Sequence, residues 1–276
     1  MLSVERGPTF PSSQDPSNGR RFLVPQPGQS LLITDTPASS AQFLVHALLQ
    51  LHLKRGNSNR TCVVVSLDND LAHMAAIAAR SNLNLQQCMA DKSLVYIDAL
   101  SQASQPPNNL TDAHAGLLVC PPLQESLRPL YDLVQRAFET VAPTAVERLL
   151  ILGDISTLEW VGISPTHINR FIRAVRALAV QASPHIILDP HSDVRTQLPI
   201  ESSVLRTLVT SCDVHLEVRE LSSGLSSAVS GEVAMHPGFT APDPHLVPIP
   251  RQRALQYRLT DSGVVWIDRG TSASVL

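Results

Sequence analysis

A short connection near the N-terminus is where this sequence would be expected to do nucleotide chemistry. It follows the apolar run Ser30–Asp35 (SLLITD) and precedes a helical segment. A phosphate loop in this setting wraps glycine amides around phosphates and adds a lysine and a magnesium-binding Ser or Thr. The connection Thr36–Ala41 (TPASSA) has neither glycine nor lysine. Pro37 lacks a backbone N–H, and Asp35 puts a negative charge where phosphate would lie. The segment therefore predicts loss of tight phosphate binding.

A second acidic residue, Asp154, ends the apolar run Arg148–Asp154 (RLLILGD). In an active ATPase a carboxylate at such a strand end helps to hold magnesium. Acidic residues at strand ends are also common without catalysis, and the phosphate loop is missing here. A structural role is favoured, and Asp35, Pro37 and Asp154 together form a predicted degenerate nucleotide edge.

Other polar groupings give weaker signals. The segment Asp189–Asp193 (DPHSD) follows an apolar run and suggests a metal or hydrolase site, but an ordinary polar loop is favoured. The ten histidines and four cysteines show no metal-ligand spacing. The sequence contains no G-x-S-x-G, H-E-x-x-H or G-x-G-x-x-G motif. We predict no catalytic residue, no metal ligand and no cofactor-binding residue.

Arginines mark one helical segment as a candidate contact surface. Arg170, Arg173 and Arg176 repeat every three residues opposite an apolar stripe. Such a strip is favoured as a solvated helix face, and the alternative is a contact with an acidic partner subunit or an RNA phosphate. A second local basic cluster, near the C-terminus, consists of Arg251, Arg253 and Arg258.

Strand-like and helical segments alternate between residues 30 and 189. These segments would position the candidate residues described above. The strand-like runs are Ser30–Asp35, Thr61–Asp68, Leu94–Leu100, Arg148–Asp154 and His185–Asp189. Apolar residues at helical spacing begin at Phe43, and helical segments recur over Asp70–Ala79, Leu123–Thr140 and Thr166–Gln181. This alternation predicts an α/β fold with a mostly parallel sheet flanked by helices.

The pattern changes after residue 201. A helix is predicted over Val204–Ser211 and a strand over Val214–Arg219. Two further strand-like segments flank Asp261–Gly263, which predicts an antiparallel C-terminal hairpin. Residues 101–121 and 220–252 are predicted as loops.

Composition limits the class of protein. The 276 residues are 43% hydrophobic, and the net charge of -3 gives no overall attraction to nucleic acid or anionic membrane. Residues 1–20, rich in Pro, Ser, Gly and Asn, are predicted as a flexible tail, and residues 21–276 as one domain. No secretory signal or membrane-spanning run is recognised, so we expect a soluble intracellular protein.

Three stretches resemble the Elongator complex protein 6 family. The first is SLLITD followed by FLVHALLQLHLK (Phe43–Lys54). The second runs from TCVVVSL through SNLNL (Ser81–Leu85) to SLVYIDAL, and the third is the end, YRLTDSGVVWIDRGTSASVL. With LLILGD they cover most of the chain from about residue 30 to 276, in the family's order. The sequence departs from the family at Leu67–Asp70 and in the two predicted loops.

The resemblance implies a RecA-like subunit without a working phosphate loop, a pseudo-ATPase. Its implied partners are the RecA-like Elongator subunits 4 and 5 in a hetero-hexameric ring, the Elongator catalytic core, and tRNA. The ring would bind tRNA, and ATP hydrolysis by the assembly would modulate release of the tRNA, in support of wobble-uridine modification. The implied location is the cytoplasm, with the nucleus as a further location.

In RecA-like rings the loops after the fourth and fifth strands face the central pore. Here these would be Ile155–Pro165 and Pro190–Pro199, and Arg195 is their only Lys or Arg, which makes it the candidate tRNA contact. Two alternatives stay open from the sequence. One is a degenerate ATPase that still hydrolyses nucleotide, and the other is a structural partner with no RNA role.

Overall fold

A computed structural model describes most of the chain between residues 29 and 267. The described residues are 29–54, 60–67, 70–99, 116–121, 123, 126–141, 147–182, 184–188, 203–221, 223–224, 226, 228–239, 248–260 and 263–267. The predicted tail, residues 1–20, therefore lies outside them.

A central sheet of ten strands organises the described residues, in the order β10-β9-β8-β7-β1-β6-β5-β2-β3-β4. The strands are β1 Ser30–Thr34, β2 Arg60–Ser66, β3 Leu94–Asp98, β4 Leu117–Val119, β5 Glu147–Leu152, β6 Pro184–Leu188, β7 Val214–Arg219, β8 Gly231–Pro237, β9 Leu255–Thr260 and β10 Gly263–Ile267. In this sheet order, each strand on the side that runs from β7 through β1 to β4 is parallel to its neighbours. On the other side, from β7 to β10, neighbouring strands are antiparallel. The predicted parallel centre with antiparallel C-terminal strands is confirmed.

Helices cover both faces of the parallel strands. They are α1 Gln42–Lys54, α2 Leu71–Arg80, α3 Leu85–Ala90, α4 Arg128–Thr140, α5 Ser156–Trp160, α6 Pro165–Ala182 and α7 Ser203–Ser211. One core lies between the sheet and α1, α2 and α3, and the other lies between the sheet and α4 to α7.

Continuous apolar runs form the central strands because alternate residues enter opposite cores. In β1, Leu31 and Ile33 enter the α1 core, whereas Leu32 enters the α4 core. In β2, Val63 and Val65 face the α4 core, and their neighbours face the other. A strand buried on both faces has no polar side, which explains why the parallel strands were visible in the sequence.

Several boundaries and elements differ from the sequence prediction, and one of them is α3, Leu85–Ala90, which was not predicted. Leu117–Val119, within a predicted loop, pairs with β3, and β8 lies within the predicted loop 220–252. The helix predicted over Leu123–Thr140 begins only at Arg128 with Pro129 in its first turn, where the fixed φ of proline is accommodated. The predicted loop Ile155–Pro165 contains α5 and the first residue of α6.

Candidate functional site

The connection after β1 is a tight turn rather than a phosphate-binding loop. The Ser39 N–H donates to the Thr36 carbonyl at 2.9 Å, which closes a β-turn with Pro37 at its second position. Proline is favoured there because its fixed φ matches the turn. The turn folds the segment back on itself, so its amides do not form an open cradle for phosphate.

A carboxylate of the chain itself lies at the N-terminus of α1. Asp35 is only 1% exposed, and its Oδ2 accepts a hydrogen bond from the Ala41 N–H at 2.7 Å. The Ser40 hydroxyl accepts from the Gln42 N–H at 3.3 Å. An anion is stabilised at a helix N-terminus by unpaired N–H groups and by the helix dipole. Asp35 thus supplies internally the negative charge that a nucleotide phosphate supplies in an active site.

Residues of the C-terminal strands pack against the same turn. The Ser39 hydroxyl donates to the Ser230 carbonyl at 3.4 Å, and the Tyr257 hydroxyl hydrogen-bonds Ser39. The Tyr257 ring lies 4.4 Å from that of Phe43 in α1, centroid to centroid. A Cβ on Gly231 would lie 2.7 Å from the Tyr257 hydroxyl, so this close approach requires glycine. The C-terminal strands therefore fill the space beside the turn.

The environment of Tyr257 keeps its phenol protonated. Burial raises its pKa to about 12, and the nearby charge of Asp35 acts in the same direction. The hydrogen bond with Ser39 opposes this shift. A neutral phenol next to a buried carboxylate is an arrangement that holds a fold together rather than one that binds another anion.

Asp154, beyond the end of β5, is used as a cap. It is 3% exposed and accepts hydrogen bonds from the Ser156 N–H at 3.0 Å and the Thr157 hydroxyl at 2.9 Å. The Ser156 hydroxyl also donates to it. These contacts hold the first turn of α5. One strand, β6, separates β5 from β1, so Asp154 and Asp35 follow two strands that are not neighbours.

A polar network lies on β7 and β8, next to β1. Glu217 accepts two hydrogen bonds of 2.7 Å from Arg251, and His236 lies 3.2 Å from it. Burial opposes ionisation of Glu217, but the contacts with Arg251 and His236 outweigh it and lower its pKa. His215 bonds the Thr34 hydroxyl at 2.8 Å. Arg251 from the predicted basic cluster is thus paired with Glu217, and all three arginines of the cluster, Arg251, Arg253 and Arg258, are exposed.

The predicted arginine strip on α6 is not uniform. Arg170 and Arg173 are exposed, as a solvated or partner-binding face requires. Arg176 is half-buried and donates to the Ser211 carbonyl at the C-terminal end of α7. The guanidinium thereby stabilises an orphan carbonyl of that helix. Arg176 is thus less accessible than the other two arginines of the strip, and contact of the strip with a partner or RNA stays a prediction.

The segment Ile155–Pro165 exposes an aromatic side chain that the sequence interpretation missed. Trp160, at the end of α5, is 71% exposed, and Val161 is 52% exposed. Two features of the sequence could have indicated this residue. Aromatic residues make up only 4% of the chain, and this tryptophan follows directly after a turn that has its own cap. Arg195, the segment Pro190–Pro199 and the polar run Asp189–Asp193 lie outside the described residues.

Among the described residues, no three His, Cys, Asp or Glu side chains are grouped so as to hold a metal ion. None of the helices in those ranges combines the length and apolarity needed to cross a bilayer.

The sheet order and its covering helices define the class of protein as a RecA- and KaiC-like α/β domain. A KaiC-like protein from Pyrococcus horikoshii superimposes with a TM-score of 0.57 at 8% identity, over 87% of this chain and 90% of that one. An uncharacterized Pyrococcus horikoshii protein, crystallised with an unknown peptide, gives a TM-score of 0.59 at 14% identity, over 89% and 94%. At such identities the likeness establishes the fold alone.

Sequence comparison gives the particular family. The model of the family described as Elongation complex protein 6 matches residues 21–261, and the chain belongs to that family. Elongator complex protein 6 of Xenopus tropicalis is 26% identical over 264 residues, covering 90% of this chain and 93% of the relative. The protein of the same name from Danio rerio is 24% identical over 267 residues, covering 91% and 94%. The resemblance recognised in the sequence is confirmed.

Proposed function

We propose that this chain is a non-catalytic RecA-like subunit of Elongator. In this proposal it joins the RecA-like Elongator subunits 4 and 5 in a hetero-hexameric ring that associates with the Elongator catalytic core. The ring binds tRNA and supports modification of its wobble uridine, in the cytoplasm and also in the nucleus. Membership of the Elongation complex protein 6 family over residues 21–261 supports the assignment to Elongator.

One observation carries the non-catalytic part of the proposal. The Asp35 carboxylate, held by the Ala41 N–H at 2.7 Å, occupies the helix N-terminus at which a phosphate would bind. A phosphate brought to the same point would meet a buried negative charge with no lysine to offset it. The fold is thus retained for its surfaces, and ATP hydrolysis falls to the assembled ring.

A comparison of the isolated chain with the ring tests this division of labour. The purified chain should hydrolyse no ATP above background, whereas the assembled ring should. The competing function is a degenerate ATPase, in which Asp154 would hold magnesium. Turnover by the isolated chain that Asp154→Ala abolishes would establish that function and reject ours.

The tRNA contact is proposed for the segments that follow β5 and β6. Arg195 supplies a charge for tRNA phosphate, and the exposed Trp160 offers a stacking surface for a base. In the assembled ring, Arg195→Ala should weaken tRNA binding without changing the number of subunits. Unchanged affinity at low and moderate salt would remove Arg195 from the proposal. A ring from which this chain never cross-links to tRNA would support a purely structural role.

A further inference from the structure

A cleft lies on the helical face of the domain, among the helices that cover the α4 core, and neither Asp35 nor Asp154 lines it. It has a volume of about 420 Å³ and is formed by the N-terminal halves of α4 and α6. Its floor is apolar, because Leu127 and Phe171 are each 4% exposed and Ala174 lies beside them. Sites that bind ligands commonly combine such a floor with a few polar groups at the rim.

The rim of the cleft carries two arginines in different states. Arg128 forms an ion pair with Asp132 at 2.7 Å, and its guanidinium lies 5.7 Å from the centre of the Tyr131 ring. Arg170 is exposed and makes no hydrogen bond or ion pair with any residue that the structure describes. Since Asp132 offsets Arg128, Arg170 is the one uncompensated charge among the described residues that line the cleft.

A buried polar atom also lines the cleft. His167 Nδ1 is shielded from solvent and has no hydrogen-bond partner among the described residues. A buried ring nitrogen without a partner is uncommon because desolvation without a hydrogen bond costs free energy. Because the atom is shielded, a ligand in the cleft can bond it only if the His167 ring turns toward the cleft.

We propose that the cleft between α4 and α6 is a docking site for an acidic peptide segment of a partner protein. An apolar side chain of the peptide packs on Leu127 and Phe171, and an adjacent Asp or Glu pairs with Arg170. The His167 ring turns toward the bound peptide, so that Nδ1 gains a hydrogen bond from the peptide backbone. The contact involves neither the nucleotide edge nor the segments proposed for tRNA, so it stands independently of the proposed function.

The composition of the cleft favours a peptide over RNA. One uncompensated charge matches one carboxylate, whereas RNA affinity depends on contacts with several phosphates. The face of Tyr131 is already covered by Arg128, so it is not available to stack on a base. The apolar floor suits an apolar side chain, which the sugar–phosphate backbone does not provide.

The test uses the full-length chain and defined probes. Synthetic peptides carry a central Leu or Phe with flanks of Asp and Glu, of Ser, or of Lys, and a ten-nucleotide oligouridylate serves as the RNA probe. Binding is measured by fluorescence anisotropy at two salt concentrations. The wild type should bind the acidic peptide at least about tenfold more tightly than the Ser or Lys peptide, as expected for one complementary charge pair.

Two arginines on the same helix provide a matched pair of variants. Arg170→Glu reverses the rim charge and should shift the preference to the Lys peptide, whereas Arg173→Glu, also exposed but outside the cleft, should keep the acidic preference. Ala174→Leu narrows the floor and should weaken all Leu and Phe peptides. Three outcomes would each overturn the proposal. The first is that no peptide binds saturably, and the second is that the two arginine variants have equal effects. The third is that oligouridylate binds in place of peptide and depends on Arg170. Thermal unfolding of every variant separates these outcomes from misfolding.

Discussion

The Asp35 carboxylate accepts a hydrogen bond of 2.7 Å from the Ala41 N–H, with the five residues between them folded as a turn just before α1. In an ATPase that amide end of the helix faces a phosphate of the nucleotide. Here the chain satisfies it with its own side chain. One residue thus stabilises the helix start and opposes binding of an anion at the same place.

Replacing Asp35 should therefore reduce stability without creating nucleotide binding. Asp35→Ala leaves the Ala41 N–H buried and unpaired, and should lower the free energy of unfolding by about 1–2 kcal/mol, as for other helix caps. Urea denaturation measures this loss. Ser40→Ala, which removes an exposed and longer contact, is the control and should cost less. A stable Asp35→Ala protein that binds a fluorescent ATP analogue would show that Asp35 alone was blocking a working site.

Asp154 should behave as a cap as well. Asp154→Ala removes the acceptor for Ser156 and Thr157, and should lower the free energy of unfolding by about 1–2 kcal/mol. Asp154→Asn keeps one acceptor oxygen and should lose less. The same urea titration applies, and an Asp154→Ala protein of wild-type stability would contradict the assigned role.

Trp160 should affect tRNA binding without affecting stability. Its side chain is 71% exposed, so Trp160→Ala removes little packing. If a tRNA base stacks on Trp160, the variant should lower the affinity of the ring for tRNA about tenfold. Binding of tRNA by the assembled ring measures the effect. Phe239 is 75% exposed and lies after β8, which makes Phe239→Ala the matched control. Equal losses in the two variants would indicate a non-specific effect of exposed aromatics.

Tyr257 should anchor the C-terminal strands to the turn after β1. Tyr257→Ala removes a ring that is 1% exposed and should lower the free energy of unfolding by about 3–5 kcal/mol. Tyr257→Phe keeps the ring and loses only the hydroxyl contact, so it should cost about 1 kcal/mol. Leu259→Ala, in the same strand but 47% exposed, is the control. A Tyr257→Ala loss no larger than that of Leu259→Ala would contradict the anchoring role.

Buried histidines should make the protein less stable in mild acid. Burial lowers the pKa of His215 to about 4, with a smaller contribution from the charge of His236. Burial also lowers the pKa of His46 to about 4, with a smaller contribution from the charge of His73. An unfolded histidine titrates near about 6.5. The unfolded state therefore binds more protons between these values, and stability is complete above about pH 6.5 and falls toward pH 4.

For one such histidine the loss between pH 7 and pH 5 is on the order of 2 kcal/mol. His215→Gln keeps a side chain able to bond Thr34 and should flatten the dependence of unfolding free energy on pH. Urea titrations at pH 7, 6 and 5 test this. A variant with the wild-type slope would show that His215 is not one of the groups responsible.

The central strands and the longest helix were predictable because their signal is local. Ser30–Asp35 and Arg148–Asp154 are continuous apolar runs, as burial on both faces requires. Leu117–Val119 was missed because three half-buried residues give no periodicity, and β8 was missed because its run GEVAMHP mixes polar and apolar residues. Pairing with a neighbouring strand determines such segments more than their own propensity.

The candidate edge was only partly predictable for a related reason. The absence of glycine and lysine after β1 is visible in the sequence, and so is the charge of Asp35. Three contacts depend on the folded arrangement. They join Asp35 to Ala41, Tyr257 to Ser39, and Arg176 to the end of α7. The contacts of Tyr257 and Arg176 join residues far apart in sequence, so they leave no spacing that a motif could capture.

The central claim is that this chain is an assembly subunit rather than an independent enzyme. Native mass spectrometry of the chain co-expressed with the RecA-like Elongator subunits 4 and 5 tests it most directly. The account predicts one six-chain species that contains all three subunits and loses its hexameric mass when this chain is omitted. A chain that stays monomeric beside its intended partners, or a ring that forms equally well without it, would contradict the account.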